Sequence, residues 1–127
     1  MAAMLGMSMS GVGYMHSDLG GFTGATDPEL FTRWIQLGAF TPIMRAHGTG
    51  GITEPVYLPE PYQSICRKFI RLRYAFLPYN YHLAWENTVS GLPLAMPMDF
   101  WSPQNDFLQN LNDQFYWGKD LVIAPVM

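Results

Sequence analysis

The pattern of apolar and polar positions predicts a helix over residues 28–38. Asp27 can accept hydrogen bonds from the free amides of the first turn, and Pro28 suits the first helical position. Glu29 and Arg33 are four residues apart, which places them together on the polar side of such a helix. The apolar stripe on the other side comprises Leu30, Phe31, Trp34 and Ile35.

Short apolar runs on both sides of this helix predict β-strands. The first covers residues 11–15 and is flanked by glycines, and the second covers residues 39–44. Pro42 counts against a central position for the second strand, because proline cannot donate to a sheet. Strand, helix and strand at this spacing form a βαβ unit.

A longer helix is predicted from residue 62 to about residue 86. Its apolar positions keep a 4-3-4 spacing, and Pro78 should kink or interrupt it. Gly91 ends the helical region, and from residue 92 onward Pro, Asn, Asp and Trp punctuate short apolar runs. This change from a helical pattern to short apolar runs predicts a domain boundary near residue 91.

Composition indicates a chain that faces other protein or a ligand over much of its surface. Of its 127 residues, 49% are hydrophobic and only 13% are charged, so a dense charged coat is impossible. We therefore expect a piece of something larger. The net charge of −3 gives no long-range attraction for phosphates, which argues against nucleic acid as a partner.

Other chemistries find little support in the chain. Cys66 is the single cysteine, and its apolar helical surroundings predict a buried thiol. We expect no cofactor and no metal, because no cluster of ligating side chains has metal-site spacing. Membrane association is also not expected, since no apolar run reaches the ~20 residues that span a bilayer. The sequence does not indicate a cellular location.

Two short motifs separated by one predicted repeat carry a family resemblance. Residues 18–22 spell Asp-Leu-Gly-Gly-Phe, here called the aspartate run, and residues 45–48 spell Arg-Ala-His-Gly, here called the histidine run. Further short motifs follow up to residue 126. The whole set, in this order, resembles glycoside hydrolase family 31, the α-glucosidase and α-xylosidase group. The resemblance implies an α/β fold: the C-terminal portion of a (β/α)8 TIM barrel, about its last two β/α units, followed by the beginning of a β-sandwich. Residues 1–91 would belong to the barrel, with residues 11–16 and 39–44 as its seventh and eighth strands, and residues 92–127 would start an incomplete sandwich.

The same resemblance implies which residues contact substrate. Asp18 would lie in the pocket for the non-reducing sugar, Phe22 would form part of its wall, and His47 would hydrogen-bond sugar hydroxyls. Arg45 would line the pocket or form an ion pair there. These residue types suit a sugar, which offers hydroxyl groups and apolar C–H faces. Without the resemblance, Asp18 and His47 would be ordinary loop residues.

The resemblance also implies a retaining α-glycosidase acting on α-linked glucosides or related glycosides. Such enzymes need two carboxyl groups about 5 Å apart. The family places both aspartates before residue 1, so we expect no catalytic residue in this chain and no activity from the isolated 127 residues. The expected partner is an oligosaccharide or α-glycoside substrate; the oligomeric state stays open.

Two alternatives remain at this stage. A non-catalytic relative of the same barrel would keep the pocket for carbohydrate binding or protein interaction. Alternatively, the resemblance misleads and the chain is a small helical domain in which the 62–86 helix packs on the 28–38 helix.

Overall fold

The computed structural model describes residues 1–126, in which helices dominate and a small sheet follows. The α-helices are α1 (Ala2–Met9), α2 (Pro28–Gly38), α3 (Tyr62–Ala75), α4 (Leu77–Ser90) and α5 (Asp106–Gln109), with a 3-10 turn at Pro55–Tyr57. The strands are β1 (Ala95–Met96), β2 (Phe115–Trp117) and β3 (Leu121–Ile123). No helix within residues 1–126 has the length and apolar character needed to cross a membrane.

Helix α2 begins where the sequence predicted. The Asp27 carboxylate accepts hydrogen bonds from the amides of Glu29 and Leu30 at 2.8 and 3.0 Å. Arg33 pairs with Glu29 at 3.3 Å on the polar side. The predicted apolar stripe is too wide: Phe31 and Ile35 are buried, but Leu30 is 54% exposed. The difference arises because α3 packs on the side of α2 that carries the two buried residues.

Neither of the two predicted parallel strands forms. At the start of residues 11–16, the amides of Gly11 and Val12 bond back to α1, at Ser8 and Met7, so this segment first completes a helix end. The chain then has no regular secondary structure until one isolated parallel bridge, Leu19 with Ala46.

Residues 39–44 depart from a strand for a different reason. The amides of Ala39, Phe40 and Thr41 bond back to carbonyl groups of α2, which continues the helix as a turn. Pro42 has no N–H to donate. The Arg73 guanidinium donates hydrogen bonds to the carbonyl oxygens of Ala39, Thr41 and Pro42. Residues 39–42 therefore have no free backbone N–H to offer a sheet, and three of their four carbonyl oxygens already accept from Arg73.

The predicted long helix is divided at Phe76 into α3 and α4. Pro78 lies in the first turn of α4, where its missing N–H is tolerated, so the interruption was predicted correctly. Helix α4 extends to Ser90, four residues beyond the predicted end, and Gly91 ends it in the left-handed conformation with φ 75°.

The C-terminal strands form an antiparallel sheet in the order β1-β2-β3, which packs on α4. Trp117 of β2 is fully buried, and its indole N–H donates to Asn80 of α4 at 2.9 Å. The Tyr79 hydroxyl donates to the carbonyl oxygen of Trp117 at 3.0 Å. The next residue is Gly118, and only glycine fits there without a shift, because an added Cβ would stand 2.3 Å from the Tyr79 hydroxyl oxygen.

Two hydrophobic clusters hold these elements together. One joins α2 to α3 around Phe31, Ile35 and Cys66. This packing of the two helices was also expected if the chain were a small helical domain. The other joins α1, α2 and α4 to the sheet, and its buried members are Met4, Leu37, Leu83, Leu94, Ala95, Phe115 and Trp117. The second cluster therefore draws residues from both sides of residue 91.

Candidate functional site

Backbone contacts bring the aspartate run beside the histidine run. The amide of Leu19 donates to the carbonyl oxygen of Arg45 at 3.1 Å, and Leu19 forms the parallel bridge with Ala46. Leu19 is only 2% exposed and packs in the cluster between α2 and α3. The buried leucine thus fixes the point at which the two runs meet.

Beyond the bridge, the backbones of the two runs approach each other closely. The amide of Thr49 donates to the carbonyl oxygen of Phe22 at 2.6 Å. A Cβ on Gly48 would stand 2.7 Å from the carbonyl oxygen of Gly21, so only glycine fits at this position without a shift. Gly21 itself has φ 89°, and its amide closes a turn onto the Asp18 carbonyl oxygen at 3.0 Å.

The close approach places two rings of the predicted site in contact. The ring centroids of Phe22 and His47 are 5.6 Å apart with a tilt of 41°. Phe22 is 49% exposed and His47 is half-buried, so both rings are accessible at the surface. Asp18 is half-buried and directly precedes the bridging residue Leu19. Arg45 is exposed, and its carbonyl oxygen accepts the hydrogen bond from the Leu19 amide.

This arrangement offers what a small polyhydroxylated ligand requires. The exposed part of Phe22 provides an apolar surface, and an imidazole provides a donor or an acceptor according to its tautomer. A carboxylate such as that of Asp18 accepts hydrogen bonds only. Among residues 1–126, no group of three or more His, Cys, Asp or Glu side chains is arranged to hold a metal ion.

Sequence reasoning missed Arg73 as a contributor to this region. Its guanidinium donates to the carbonyl oxygens of Ala39 at 3.1 Å, Thr41 at 2.7 Å and Pro42 at 3.0 Å. Burial lowers the pKa of Arg73 from its ordinary value because it penalises the charged form. In the sequence Arg73 is one of four cations on the predicted helix, with Arg67, Lys68 and Arg71, and nothing in that local pattern reveals its acceptors.

Comparison with known proteins identifies the family of the chain. Residues 1–83 match the family model described as "Glycosyl hydrolases family 31 TIM-barrel domain". The chain belongs to glycosyl hydrolase family 31. The alternative in which the family resemblance misleads is therefore wrong, although its two helices do pack together.

Curated relatives in family 31 match almost the whole chain. The chain is 42% identical over 125 residues to alpha-glucosidase 2 of Bacillus thermoamyloliquefaciens, covering 97% of this chain and 16% of the relative. It is 40% identical over 131 residues to an alpha-xylosidase of Saccharolobus solfataricus, covering 98% of this chain and 18% of the relative. The chain thus spans less than a fifth of the length of these two relatives.

Solved family 31 structures share the fold of this chain. A GH31 alpha-xylosidase from a soil metagenome, complexed with xylose, superposes with a TM-score of 0.91 at 28% identity, covering 98% of this chain and 22% of that one. A family 31 alpha-glucosidase from Bacteroides thetaiotaomicron superposes with a TM-score of 0.90 at 32% identity, covering 98% and 21%. Family membership therefore explains the sequence motifs and the fold together.

Proposed function

We propose that this chain forms the C-terminal portion of a family 31 catalytic barrel and contributes residues to the sugar pocket of a retaining α-glycosidase. Residues 1–91 would contribute about the last two β/α units, and residues 92–127 would begin the β-sandwich. The substrates would be α-linked glucosides or related glycosides. Relatives named alpha-glucosidase and alpha-xylosidase, and a neighbour complexed with xylose, support this class of substrate.

The observation that carries the proposal is the pairing of the aspartate run with the histidine run. The bridge at Leu19 and Ala46, with the Thr49 amide on the Phe22 carbonyl oxygen, brings the Phe22 and His47 rings to 5.6 Å. Sites on TIM barrels form where the strands end and the loops begin. Both runs follow the segments that the family resemblance assigns to the last two strands, and they meet at the bridge although those segments form no ladder.

Each side chain has a distinct role in the proposed pocket. The Asp18 carboxylate accepts hydrogen bonds from sugar hydroxyls, and His47 donates to or accepts from a neighbouring hydroxyl. Phe22 covers an apolar face of the sugar ring. Arg45 is exposed, which suits the rim of the pocket or an ion pair with a residue beyond this chain.

The catalytic carboxyl pair would lie in polypeptide outside this chain. A retaining mechanism requires a nucleophile and an acid/base about 5 Å apart. Asp18 is the only acid in the two runs, and its motif corresponds to the pocket aspartate of the family. The isolated 127 residues would therefore be inactive, and activity would require the complete polypeptide encoded by the full reading frame.

The test is an assay of that complete polypeptide on aryl α-glucosides and aryl α-xylosides. Asp18→Asn, Phe22→Ala and His47→Ala should each lower kcat/KM by roughly ten- to a hundredfold, as expected for lost hydrogen bonds to a bound substrate or lost contact area. Matched controls replace exposed residues of the same type: Asp106→Asn, Phe107→Ala and His82→Ala.

The outcomes separate the proposal from its alternative. Sugar binding without hydrolysis by the wild-type protein would favour the non-catalytic carbohydrate-binding relative. Site variants that behave like their matched controls would contradict the pocket assignment.

A further inference from the structure

The guanidinium of Arg73 joins helix α3 to the segment that leads into the histidine run. One nitrogen, Nη1, donates to the carbonyl oxygens of Ala39 and Thr41, and Nη2 donates to that of Pro42. All three acceptors lie in the first four residues after α2 ends at Gly38. One side chain therefore fixes the course of the chain just after a helix C-terminus.

Arginine suits this position better than any other side chain. Its planar guanidinium carries five N–H donors in a rigid fork, whereas a lysine ammonium presents its donors from a single point. The acceptors extend the negative end of the α2 dipole, which favours a cation. Within residues 1–126, the ion pairs involve other residues, so these carbonyl groups are the polar partners that compensate for the burial of Arg73.

A second contact ties the same guanidinium to the C-terminal sheet. The central carbon of the Arg73 guanidinium lies 6.0 Å from the ring centroid of Trp117, at the outer range of a cation–π contact. Trp117 is fully buried, so its ring cannot move away. Arg73 is thus held on one side by the sheet and on the other by the 39–42 segment.

Only two residues separate Pro42 from Arg45, the first residue of the histidine run. Arg45 is itself anchored, because its carbonyl oxygen accepts from the Leu19 amide. The segment therefore has one anchor at Arg73 and the next at the aspartate run. Only four residues separate Pro42 from His47, so a displacement of residues 39–42 should also displace His47.

We propose that Arg73 is a positioning residue of the sugar pocket. By holding residues 39–42 against α3, it sets His47 against Phe22 and keeps the histidine run in register with the aspartate run. It acts through these residues and does not touch the sugar. The inference rests on the proposed function, in which His47 contacts substrate.

The first experiment measures hydrogen exchange by mass spectrometry on the complete polypeptide. Arg73→Met should raise exchange roughly tenfold in peptides covering residues 39–49 and 18–22, because both anchors loosen, with little change in α1 or α4. Arg71→Met is the matched control, since Arg71 is exposed on the same helix. Arg73→Lys covers the case in which Arg73→Met does not fold, because it keeps the charge but cannot span three carbonyl groups. Unchanged exchange in the two runs, or a uniform rise along the whole chain, would overturn the inference.

The second experiment is a double-mutant cycle on kcat/KM with His47→Ala. Arg73→Lys alone should lower kcat/KM roughly tenfold, since small misplacements of binding groups are costly. In the His47→Ala background the same change should have a clearly smaller effect, because part of the loss caused by Arg73→Lys acts through His47. Full additivity would indicate a general structural role and would overturn the inference.

The two proposals fail in different ways. If His47→Ala leaves kcat/KM unchanged, the proposed function fails regardless of Arg73. If His47→Ala lowers kcat/KM while Arg73→Lys and Arg71→Met behave alike, only the role of Arg73 fails. In a protein without hydrolytic activity, the exchange experiment alone decides whether Arg73 orders the two runs.

Discussion

Gly48 lies where the backbones of the two runs pack closely against each other. Its missing side chain leaves room for the carbonyl oxygens of Gly21 and Phe22, which an added Cβ would meet at 2.7 and 3.1 Å. Gly48→Ala should therefore push the histidine run away from the aspartate run. We expect a destabilisation of about 1–3 kcal/mol, typical of overpacking, together with a lower kcat/KM.

Thermal unfolding and sugar hydrolysis of the complete polypeptide would measure both effects. Gly6→Ala is the control, because Gly6 lies inside α1 with no atom within 4 Å of an added Cβ. That change should be neutral or stabilising by up to about 1 kcal/mol, as alanine favours helix over glycine. A wild-type-like Gly48→Ala would show that the two loops are not tightly packed.

Cys66 provides a second prediction at the level of a single residue. Its thiol is fully buried against α2, and burial raises its pKa, with the Thr32 hydroxyl oxygen 3.7 Å from the sulfur. Since the thiolate is the reactive species, native Cys66 should react with a disulfide reagent at least roughly a hundredfold more slowly than in denaturant. An exposed thiol at Ser64→Cys in a Cys66→Ala background serves as the reactive control. Equal native rates for the two thiols would show that the packing of α3 on α2 does not shield Cys66.

Residues with local partners were predictable from the sequence, and residues with distant partners were not. Asp27 caps a helix that begins at the next residue, and Gly91 ends one at its own position. Arg73, by contrast, bonds to residues 31 to 34 positions away. Nothing in the local pattern around residue 73 specifies those acceptors.

At the level of elements, the same contrast separates the helices from the predicted strands. Helices α2, α3 and α4 satisfy their own backbone groups, so periodicity and capping residues were enough to locate them. A parallel strand depends on neighbours distant in the chain. Among the described residues, the Leu19–Ala46 bridge is the one parallel pairing, and it lies just beyond both predicted strands. The side-by-side placement of the two runs was predicted through strands that do not form, yet the runs do meet at that bridge.

The contact between α4 and the turn after β2 makes an electrostatic prediction. The Lys119 ammonium lies 2.7 Å from Glu86 Oε1, and this hydrogen bond lowers the pKa of the Glu86 carboxyl below its usual range. A lowered folded-state pKa means that the stabilisation is present at neutral pH and is lost as the pH falls through that pKa. Lys119→Met should therefore lower the unfolding temperature slightly at pH 7 and have no effect in strong acid.

A pH series of thermal unfolding on the wild type and Lys119→Met would measure this difference. Lys68→Met is the matched control, because Lys68 is exposed on α3. The effect should be small, since exposed ion pairs contribute little and salt screens them. A difference between wild type and Lys119→Met that persists at the lowest pH would contradict an electrostatic origin.

For the whole molecule, the most informative surface is an apolar stripe along the end of α3 and the length of α4. Its members recur every three or four residues and are 49–79% exposed: Tyr74, Leu77, Tyr81, Trp85 and Val89. Monomeric proteins rarely leave such continuous apolar surface uncovered. The sequence had indicated this property through its low charge content, although not its location.

The isolated 127-residue chain should therefore associate with itself in solution. Tyr81→Lys combined with Val89→Lys should shift it toward the monomer in sedimentation velocity, because both side chains are more than 60% exposed on the stripe. Phe107→Lys is the control, since Phe107 is 71% exposed but lies on α5. Equal effects of the stripe and control changes would assign self-association to general hydrophobicity instead of this surface.

The hydrophobic cluster that crosses residue 91 has a consequence for protein engineering. Leu37 and Leu83 share that cluster with Leu94, Phe115 and Trp117. A chimera that joined the first 91 residues to the tail of another family member would cut through one interior and leave mismatched halves. Recombination between relatives should succeed only when these five positions are inherited as a set.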